Sequence, residues 1–276
     1  MEFLIEVIKF VIYCFAIVVI SKYILVWLIR KIAKTLKLHS KTVGNIAGYA
    51  TSVPELLTVV ASSLNGLIGA SLYNILSSNV INFLQYITSI LINKNLKLLR
   101  NKIIKIDIIL VLITIVLPII FITANLEINI ITVLISILLY ITFKYIDLKT
   151  HKIYYKLNNV DENNPKLSRQ WKESTKYIIC LLLTSILLFA VGNLLGDTLV
   201  TLCNRFNVPQ TIIGILLGLI TSVPELITFF EAQKHHKKSE NDLEGVIEAT
   251  NNLFTSNILN LFIIQSIGVL IYIFWA

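Results

Sequence analysis

The chain has 276 residues, of which 56% are hydrophobic and 14% are charged, and its formal net charge is +8. A soluble domain cannot bury that much apolar surface, so the composition excludes an ordinary soluble protein and predicts an integral membrane protein. The apolar runs are too long and continuous for barrel strands, which predicts an all-α membrane protein. Its basic residues lie between these runs, where they set topology, so no nucleic acid partner is expected.

Eight segments are predicted to cross the bilayer, within a single transmembrane domain that comprises residues 1–276. They are residues 3–29, 42–64, 66–92, 103–123, 128–147, 175–200, 210–232 and 245–274. The first is too long for the core of a signal peptide and lacks a cleavage site, so we expect it to remain as a membrane helix. Cys14, Cys180 and Cys203 have neither pairing nor metal spacing and are expected to be buried.

Lysine and arginine are concentrated in alternate connections. The connections after the first, third and fifth segments are strongly basic, whereas those after the second, fourth and sixth are nearly free of basic residues. Basic loops stay in the cytoplasm, so both termini are predicted outside, in the plasma membrane. The 148–174 connection is then a short cytoplasmic linker, too short for a calcium-sensing domain.

The hexapeptide TSVPEL occurs at residues 51–56 and again at 221–226. The likeness is longer than these six letters: GYATSVPELLT matches GLITSVPELIT, and further on NILSSNVINFL matches NLFTSNILNLF. The two copies lie an odd number of predicted helices apart and therefore run in opposite directions through the membrane. Inverted repeats of this kind are typical of secondary transporters, with the repeats here at 42–92 and 210–274.

Oxygen-bearing side chains recur at helical spacing in both repeats. Thr51 and Glu55 share a helix face, with Ser52 close by, and the second copy repeats this pattern. The matching residues there are Thr221, Ser222 and Glu225. In the helices that follow, two polar stripes are predicted, formed by Asn74, Ser78 and Asn82 and by Asn252, Ser256 and Asn260.

Proline and glutamate inside an apolar segment predict a cation site. Pro54 and Pro224 have no N–H, which is expected to free the carbonyls one turn earlier, at Ala50 and Ile220. A carboxylate at membrane depth costs at least about 2.5 kcal/mol, and a hard cation offsets both this cost and the repulsion between two such groups. Calcium binds carboxylate, amide, hydroxyl and carbonyl oxygens. A soft metal would require thiolate or imidazole ligands, and no cysteine or histidine lies near these residues.

Small polar residues also pack membrane helices together, and one stripe alone would favour that role. Two inverted copies, each facing a Pro-Glu pair, favour ligand binding. Several other polar residues have alternatives. Asn79 and Asn257 are as readily structural as ligating. Asp107 and Asp197 are expected to be solvated at helix ends, and His235 and His236 are expected in a solvated loop rather than a metal site. For Glu248, the sequence is equally compatible with a place in the lining of the inner mouth and with a place outside it.

The two blocks resemble the α-repeats of the cation/calcium exchanger superfamily, whose sodium/calcium exchangers carry G-T-S-x-P-E and G-S-N-x-x-N or D motifs. The resemblance implies alternating access at a central site, with the first and sixth helices sliding as the gate. It implies exchange of Ca²⁺ for Na⁺ or H⁺, with no enzymatic activity and no cofactor. Its ion ligands correspond here to Thr51, Glu55, Ser78, Asn82, Thr221, Glu225, Ser256 and Asn260, beside which lie Ser52 and Ser222.

The sequence departs from this family in three ways. Ala50 and Ile220 stand where the motif has glycine, and both second-block positions are amides, Asn82 and Asn260. Two carboxylates balance one Ca²⁺, two Na⁺ or two H⁺, so near-electroneutral exchange is expected. The chain also has eight predicted helices instead of ten, so either a second copy in a homo-oligomer covers the remaining face or the chain is a reduced relative.

Three activities remain open at this point. An antiporter is favoured by the inverted repeats and the carboxylate pair. A channel of the same architecture would conduct without counter-transport. An intramembrane hydrolase is disfavoured because the acids are glutamates preceded by proline and no Ser-His pair lies in the membrane segments.

Overall fold

The computed structural model describes residues 2–36, 38–123, 129–157, 171–237 and 241–275, and its regular elements there are all helical. The α-helices are α1 (Glu2–Ile20), α2 (Val26–Leu36), α3 (Ser40–Thr51), α4 (Val53–Leu64), α5 (Ile68–Ile92), α6 (Lys102–Thr123), α7 (Ile130–Leu157), α8 (Trp171–Val200), α9 (Gln210–Thr221), α10 (Val223–Lys237), α11 (Asp242–Leu259) and α12 (Gln265–Trp275). One π-helical turn joins α1 to α2, another joins α11 to α12, and a third follows α8.

Seven helical stretches in the described residues are long and apolar enough to cross a membrane. The predicted segment 42–64 is not among them; it consists of two 12-residue helices, α3 and α4, that meet at Ser52. The break follows from Pro54, which cannot donate the hydrogen bond that would continue the helix. The N–H of Ser52 donates to the Gly48 carbonyl at 3.3 Å.

The two repeats pack through helices that exchange partners. Helix α3 lies along α11, and α5 lies along α9, so each tight pair joins one helix of each repeat. Glycine allows this close approach: a Cβ on Gly48 would lie 2.8 Å from the Asn252 carbonyl oxygen, and one on Gly218 would lie 2.7 Å from that of Asn74. Small residues at such crossings are the usual means of bringing membrane helices close together.

The remaining helices flank this core on two sides. Helices α1, α2 and α8 pack on one another, and α8 also packs on α4. Helix α6 packs on α5 and α11. Helix α7 packs on α12 and on the π-helical turn that precedes α12. Large apolar side chains such as Leu138 on α7 and Ile186 on α8 are exposed, as expected for helices that face lipid.

Four details differ from the sequence-based expectations. Cys180 is exposed, while Cys14 and Cys203 are buried as expected. Asp107 was expected to be solvated but is only 1% exposed, because its carboxylate lies between α6 and α7, 3.0 Å from the His151 imidazole. Helix α7 continues to Leu157, into the predicted 148–174 linker, of which residues 158–170 lie outside the described residues. His235 and His236 lie on α10 and not in a loop.

Candidate cation site

The two repeated glutamates lie at equivalent positions in the fold. Glu55 is in the first turn of α4 and Glu225 is in the first turn of α10, and both side chains are fully buried. Each helix break therefore places a carboxylate at the start of a half-helix. The positive end of a helix dipole stabilises negative charge there, which offsets part of the cost of burying the carboxylate.

Each carboxylate is faced by hydroxyl groups from both repeats. The Ser256 hydroxyl donates to Glu225 Oε1 at 2.9 Å and lies 3.0 Å from the Ser52 hydroxyl oxygen. Thr51, from the first repeat, also lies beside Glu225. The Glu225 carboxylate of the second repeat therefore lies beside α3, a helix of the first repeat.

The arrangement around Glu55 is the counterpart. The hydroxyls of Ser78 and Thr221 lie beside this carboxylate, with their own oxygens 3.4 Å apart, but neither makes a hydrogen bond of good geometry to Glu55. Ser222 is close as well, since its hydroxyl lies 3.5 Å from the Ser78 carbonyl oxygen. The two half-sites are thus built by the same residue types in opposite orientation.

The two predicted amide ligands are held by a second pair of asparagines. Asn82 donates to Asn257 Oδ1 at 3.3 Å, and Asn260 donates to Asn79 Oδ1 at 3.3 Å. Asn79 and Asn257 also bind each other's backbone. With its amide nitrogen held, each ligand asparagine keeps its Oδ1 atom available, and both of these atoms are buried without a hydrogen-bond partner.

Unpartnered oxygen atoms are concentrated among these residues. Within the described part of the chain, the buried side-chain oxygens without a hydrogen bond include Glu55 Oε1, Glu55 Oε2, Glu225 Oε2, Asn82 Oδ1 and Asn260 Oδ1. Buried acceptors normally have donors, and leaving one unpaired costs about 1–3 kcal/mol. Oxygens of these kinds, carboxylate and amide, are among the ligands of calcium, which takes about 6–8 oxygens.

All ten residues predicted from the sequence are buried to 1% exposure or less. They lie on α3, α4, α5, α9, α10 and α11, at the helix breaks Ser52 and Ser222, and at the start of the π-helical turn after α11. They belong to two half-sites. The first comprises Glu55, Ser78, Thr221 and Ser222, the second comprises Glu225, Ser256, Thr51, Ser52 and Asn82, and Asn260 reaches the centre through Asn79.

Three supporting features were not predicted from the sequence: the Asn79–Asn257 pair, the threonines that bind Asn74 and Asn252, and the glycines where the repeats cross. Asn79 and Asn257 were not distinguished as the pair that orients the ligand amides. The Thr58 hydroxyl accepts a hydrogen bond from Asn74 at 2.7 Å, and Thr228 accepts one from Asn252. Signals for two of these features were present, because both threonines end the repeated TSVPEL-x-T block and each repeat carries a G-x-x-x-G pair, at 44 and 48 and at 214 and 218.

Glu248 lies outside the ten residues but is also buried. Its carboxylate forms an ion pair with Arg30 and a second contact with His236, at 3.0 Å from the imidazole Nε2. Glu248, Arg30 and His236 line a cavity of about 490 Å³. The ion pair joins the rod formed by α1 and α2 to the core helix α11.

Comparisons with known proteins bear on the fold and on the family. A solved structure of a sodium-calcium exchanger, NCX_Mj soaked with 10 mM Na⁺ and zero Ca²⁺, superposes with a TM-score of 0.52 and 20% sequence identity, over 96% of this chain and 83% of that chain. A search of curated proteins finds no match. The profile of the sodium/calcium exchanger protein family matches residues 7–149 and 176–275, which include both repeats and all ten site residues. The chain therefore belongs to the sodium/calcium exchanger family.

Proposed function

We propose that this chain is a secondary antiporter that moves Ca²⁺ in exchange for Na⁺ or H⁺. One observation carries the proposal. Two buried carboxylates, Glu55 and Glu225, lie where the inverted repeats contact each other, among buried oxygens that have no hydrogen bond. Two negative charges and neutral amide and hydroxyl oxygens suit one hard divalent cation. They suit two monovalent cations in the other half of the cycle equally well.

We further propose that the α1–α2 rod and α8 form the moving gate of an alternating-access cycle. These helices pack against each other and against α4 and α9 through one apolar cluster, which includes Ile17, Leu195 and Leu217. Apolar side chains of this kind can slide past one another with little loss of contact. The Arg30–Glu248 ion pair, by contrast, links the rod to α11 and would have to break when the rod slides.

The predicted topology belongs to the same proposal. The basic connections lie at one end of the bundle, where α3 and α6 begin and α7 ends. We propose that this end faces the cytoplasm of a plasma membrane and that both termini lie outside. Accessibility of single introduced cysteines at each connection to a membrane-impermeant thiol reagent, in a background without native cysteines, tests this orientation.

The activity test is uptake of ⁴⁵Ca²⁺ into vesicles that contain the purified protein. A Na⁺ gradient and a pH gradient are imposed separately, and Glu55→Gln and Glu225→Gln are compared with wild type. Glu231→Gln, on the exposed side of α10, is the matched control. Gradient-driven uptake that both site variants abolish and the control retains supports the antiporter and its site.

The other outcomes of this test contradict the proposal in distinct ways. Electrical conductance for Ca²⁺ without any counter-ion identifies a channel of the same fold. Uptake that persists in both glutamate variants removes the site assignment. Absence of uptake under either gradient, in protein that still binds Ca²⁺, identifies a reduced relative that no longer transports.

A further inference from the structure

A second cluster of ionisable side chains lies away from the central site, where α3 begins. It consists of Lys41 on α3, Asp107 on α6, and Asp147 and His151 on α7, and these side chains are 8%, 1%, 0% and 2% exposed. No residue of the repeated motifs belongs to it. Burying two carboxylates, an ammonium group and an imidazole together at a helix crossing requires a compensating function or a compensating contact.

The imidazole is at the centre of the cluster. His151 Nε2 lies 3.0 Å from Asp107 Oδ2 and 3.3 Å from Asp147 Oδ1. Ligand atoms bonded to one Zn²⁺ or Mn²⁺ at about 2.0–2.2 Å lie about 3.0–3.5 Å from each other in tetrahedral or octahedral geometry. One donor atom from each of the three side chains lies within 4.8 Å of the other two, so the three donors already have nearly the spacing that a metal ion requires.

Two buried oxygens of the same cluster are unpartnered. Neither Asp107 Oδ1 nor Asp147 Oδ2 has a hydrogen bond among the described residues, although both side chains are buried. The positive charges that face the carboxylates are Lys41, whose Nζ lies 2.9 Å from Asp147 Oδ1, and Lys144, whose Nζ is directed to the Thr255 hydroxyl at 3.1 Å. Within the described part of the chain, the Asp107 carboxylate is thus in direct contact with the His151 imidazole and with no lysine or arginine.

We propose that Asp107, Asp147 and His151 form a second metal site, which binds a divalent first-row transition metal such as Zn²⁺ or Mn²⁺. Two carboxylates and one imidazole are a mixed oxygen and nitrogen set that such metals accept, whereas Ca²⁺ takes oxygen ligands only. The Lys41 ammonium occupies Asp147 Oδ1 when the metal is absent, so metal and ammonium compete for that oxygen. This binding does not depend on whether the chain transports Ca²⁺.

Through Lys41, a metal bound at this second site can affect the central cation site. It lies ten residues before Thr51 on the same helix, which is about 15 Å along the helix axis. A metal that displaces the ammonium group from Asp147 removes the ion pair that holds the start of α3 to α7. The metal would therefore act on the helix that contributes Thr51 and Ser52 to the central site, from outside that site.

The test measures Zn²⁺ and Mn²⁺ bound per chain, by equilibrium dialysis of the purified full chain with excess Ca²⁺ present to fill the central site. Asp107→Asn and His151→Gln should weaken the tightest binding by about 10- to 100-fold or more, as loss of supporting or direct ligands does. Lys41→Met should strengthen it by about tenfold, because it removes a like charge beside the metal. His236→Gln and Glu55→Gln are the matched controls and should leave it unchanged.

Three results would overturn the proposal. They are tight metal binding that survives in both Asp107→Asn and His151→Gln, binding that is lost in Glu55→Gln or displaced by Ca²⁺, and binding that Lys41→Met weakens. Melting temperatures without metal show whether each variant is folded. If the two ligand variants fail to fold, the sign of the Lys41→Met effect decides the question alone, since a purely structural ion pair predicts no gain in metal affinity.

Discussion

Asn79 and Asn257 exchange hydrogen bonds where the two repeats meet, each side-chain amide donating to the other's backbone carbonyl at 3.1 Å. The remaining oxygen of each side chain holds a predicted ligand amide of the opposite repeat, Asn260 or Asn82. This pair therefore fixes the contact between α5 and α11 and the direction in which both ligand oxygens point. In the sequence Asn79 and Asn257 are as readily structural as ligating; in the structure they form a reciprocal contact between equivalent positions of the two repeats.

We expect Asn79→Ala and Asn257→Ala each to lower the free energy of unfolding by about 1–3 kcal/mol, because each removes two buried hydrogen bonds, one to a backbone carbonyl and one from the amide of Asn260 or Asn82. The double variant should cost less than the sum, since both changes break one reciprocal pair. Thermal melting in detergent measures this. Asn204→Ala, at an exposed asparagine, should melt like wild type, and strictly additive losses would contradict the shared contact.

Glu55→Gln and Glu225→Gln should separate stability from cation binding. Each change removes a buried charge at little cost in volume, so the cation-free melting temperature should be no lower than that of wild type. Added Ca²⁺ should stabilise wild type, by about 2.7 kcal/mol at a hundredfold excess over its Kd, and neither variant. Glu231→Gln should keep the full Ca²⁺-induced rise, and a rise retained in both site variants would place the cation elsewhere.

Gly48→Ala and Gly218→Ala should disrupt the packing of the repeats. The new methyl carbon would lie 2.8 Å from the Asn252 carbonyl oxygen in the first case and 2.7 Å from the Asn74 carbonyl oxygen in the second, and backbone cannot move aside cheaply. We expect a loss of about 1–3 kcal/mol or more for each, measured by melting temperature. Gly69→Ala is the control, since its methyl would meet only the flexible end of Gln210.

Transport should be nearly independent of membrane voltage if Glu55 and Glu225 supply the only charges of the site. One Ca²⁺ against two Na⁺ or two H⁺ then moves no net charge. Asn82→Asp adds a third negative charge at a ligand position and should make Ca²⁺ uptake respond to an imposed potassium diffusion potential. Strong voltage dependence in the wild-type protein would contradict the two-carboxylate account.

Arg30→Ala should destabilise the protein more than a surface change does, because it leaves the Glu248 carboxylate buried at 3% exposure with only His236 beside it. We expect a loss of about 3 kcal/mol, as when one partner of a buried ion pair is removed. Adding Glu248→Gln should restore part of it by removing the unpaired charge. Lys31→Ala, at the exposed neighbouring position, is the control, and a double variant no more stable than Arg30→Ala would contradict this reason.

The sequence was sufficient for the helical membrane fold, the repeats and the family, because those depend on local patterns. Apolar length predicts spanning helices, and a repeated hexapeptide with proline and glutamate is rare enough to identify a site. The membership of that family and the all-helical fold are confirmed. The ion ligands, the coupling ion and the orientation in the membrane stay predictions.

Contacts between distant elements were beyond the sequence. Asp107 was expected to be solvated from its place near a helix end, but His151 on α7 comes to meet it. Likewise, nothing in the spacing of Asn79 shows that Asn257 faces it. Hydrophobic periodicity gives the face of each helix, but which faces meet is decided by packing of the whole bundle.

Each half-site combines residues from both repeats, and this arrangement has a consequence for biosynthesis. Glu55 enters the membrane with the first repeat, whereas Thr221, which lies beside its carboxylate, is synthesised only after α5, α6, α7 and α8. Until the second repeat is synthesised, the nascent chain must therefore carry this acid in its second membrane segment with partners from the first repeat alone, such as Ser78. We expect insertion of this segment to be completed only when α9 docks on α5.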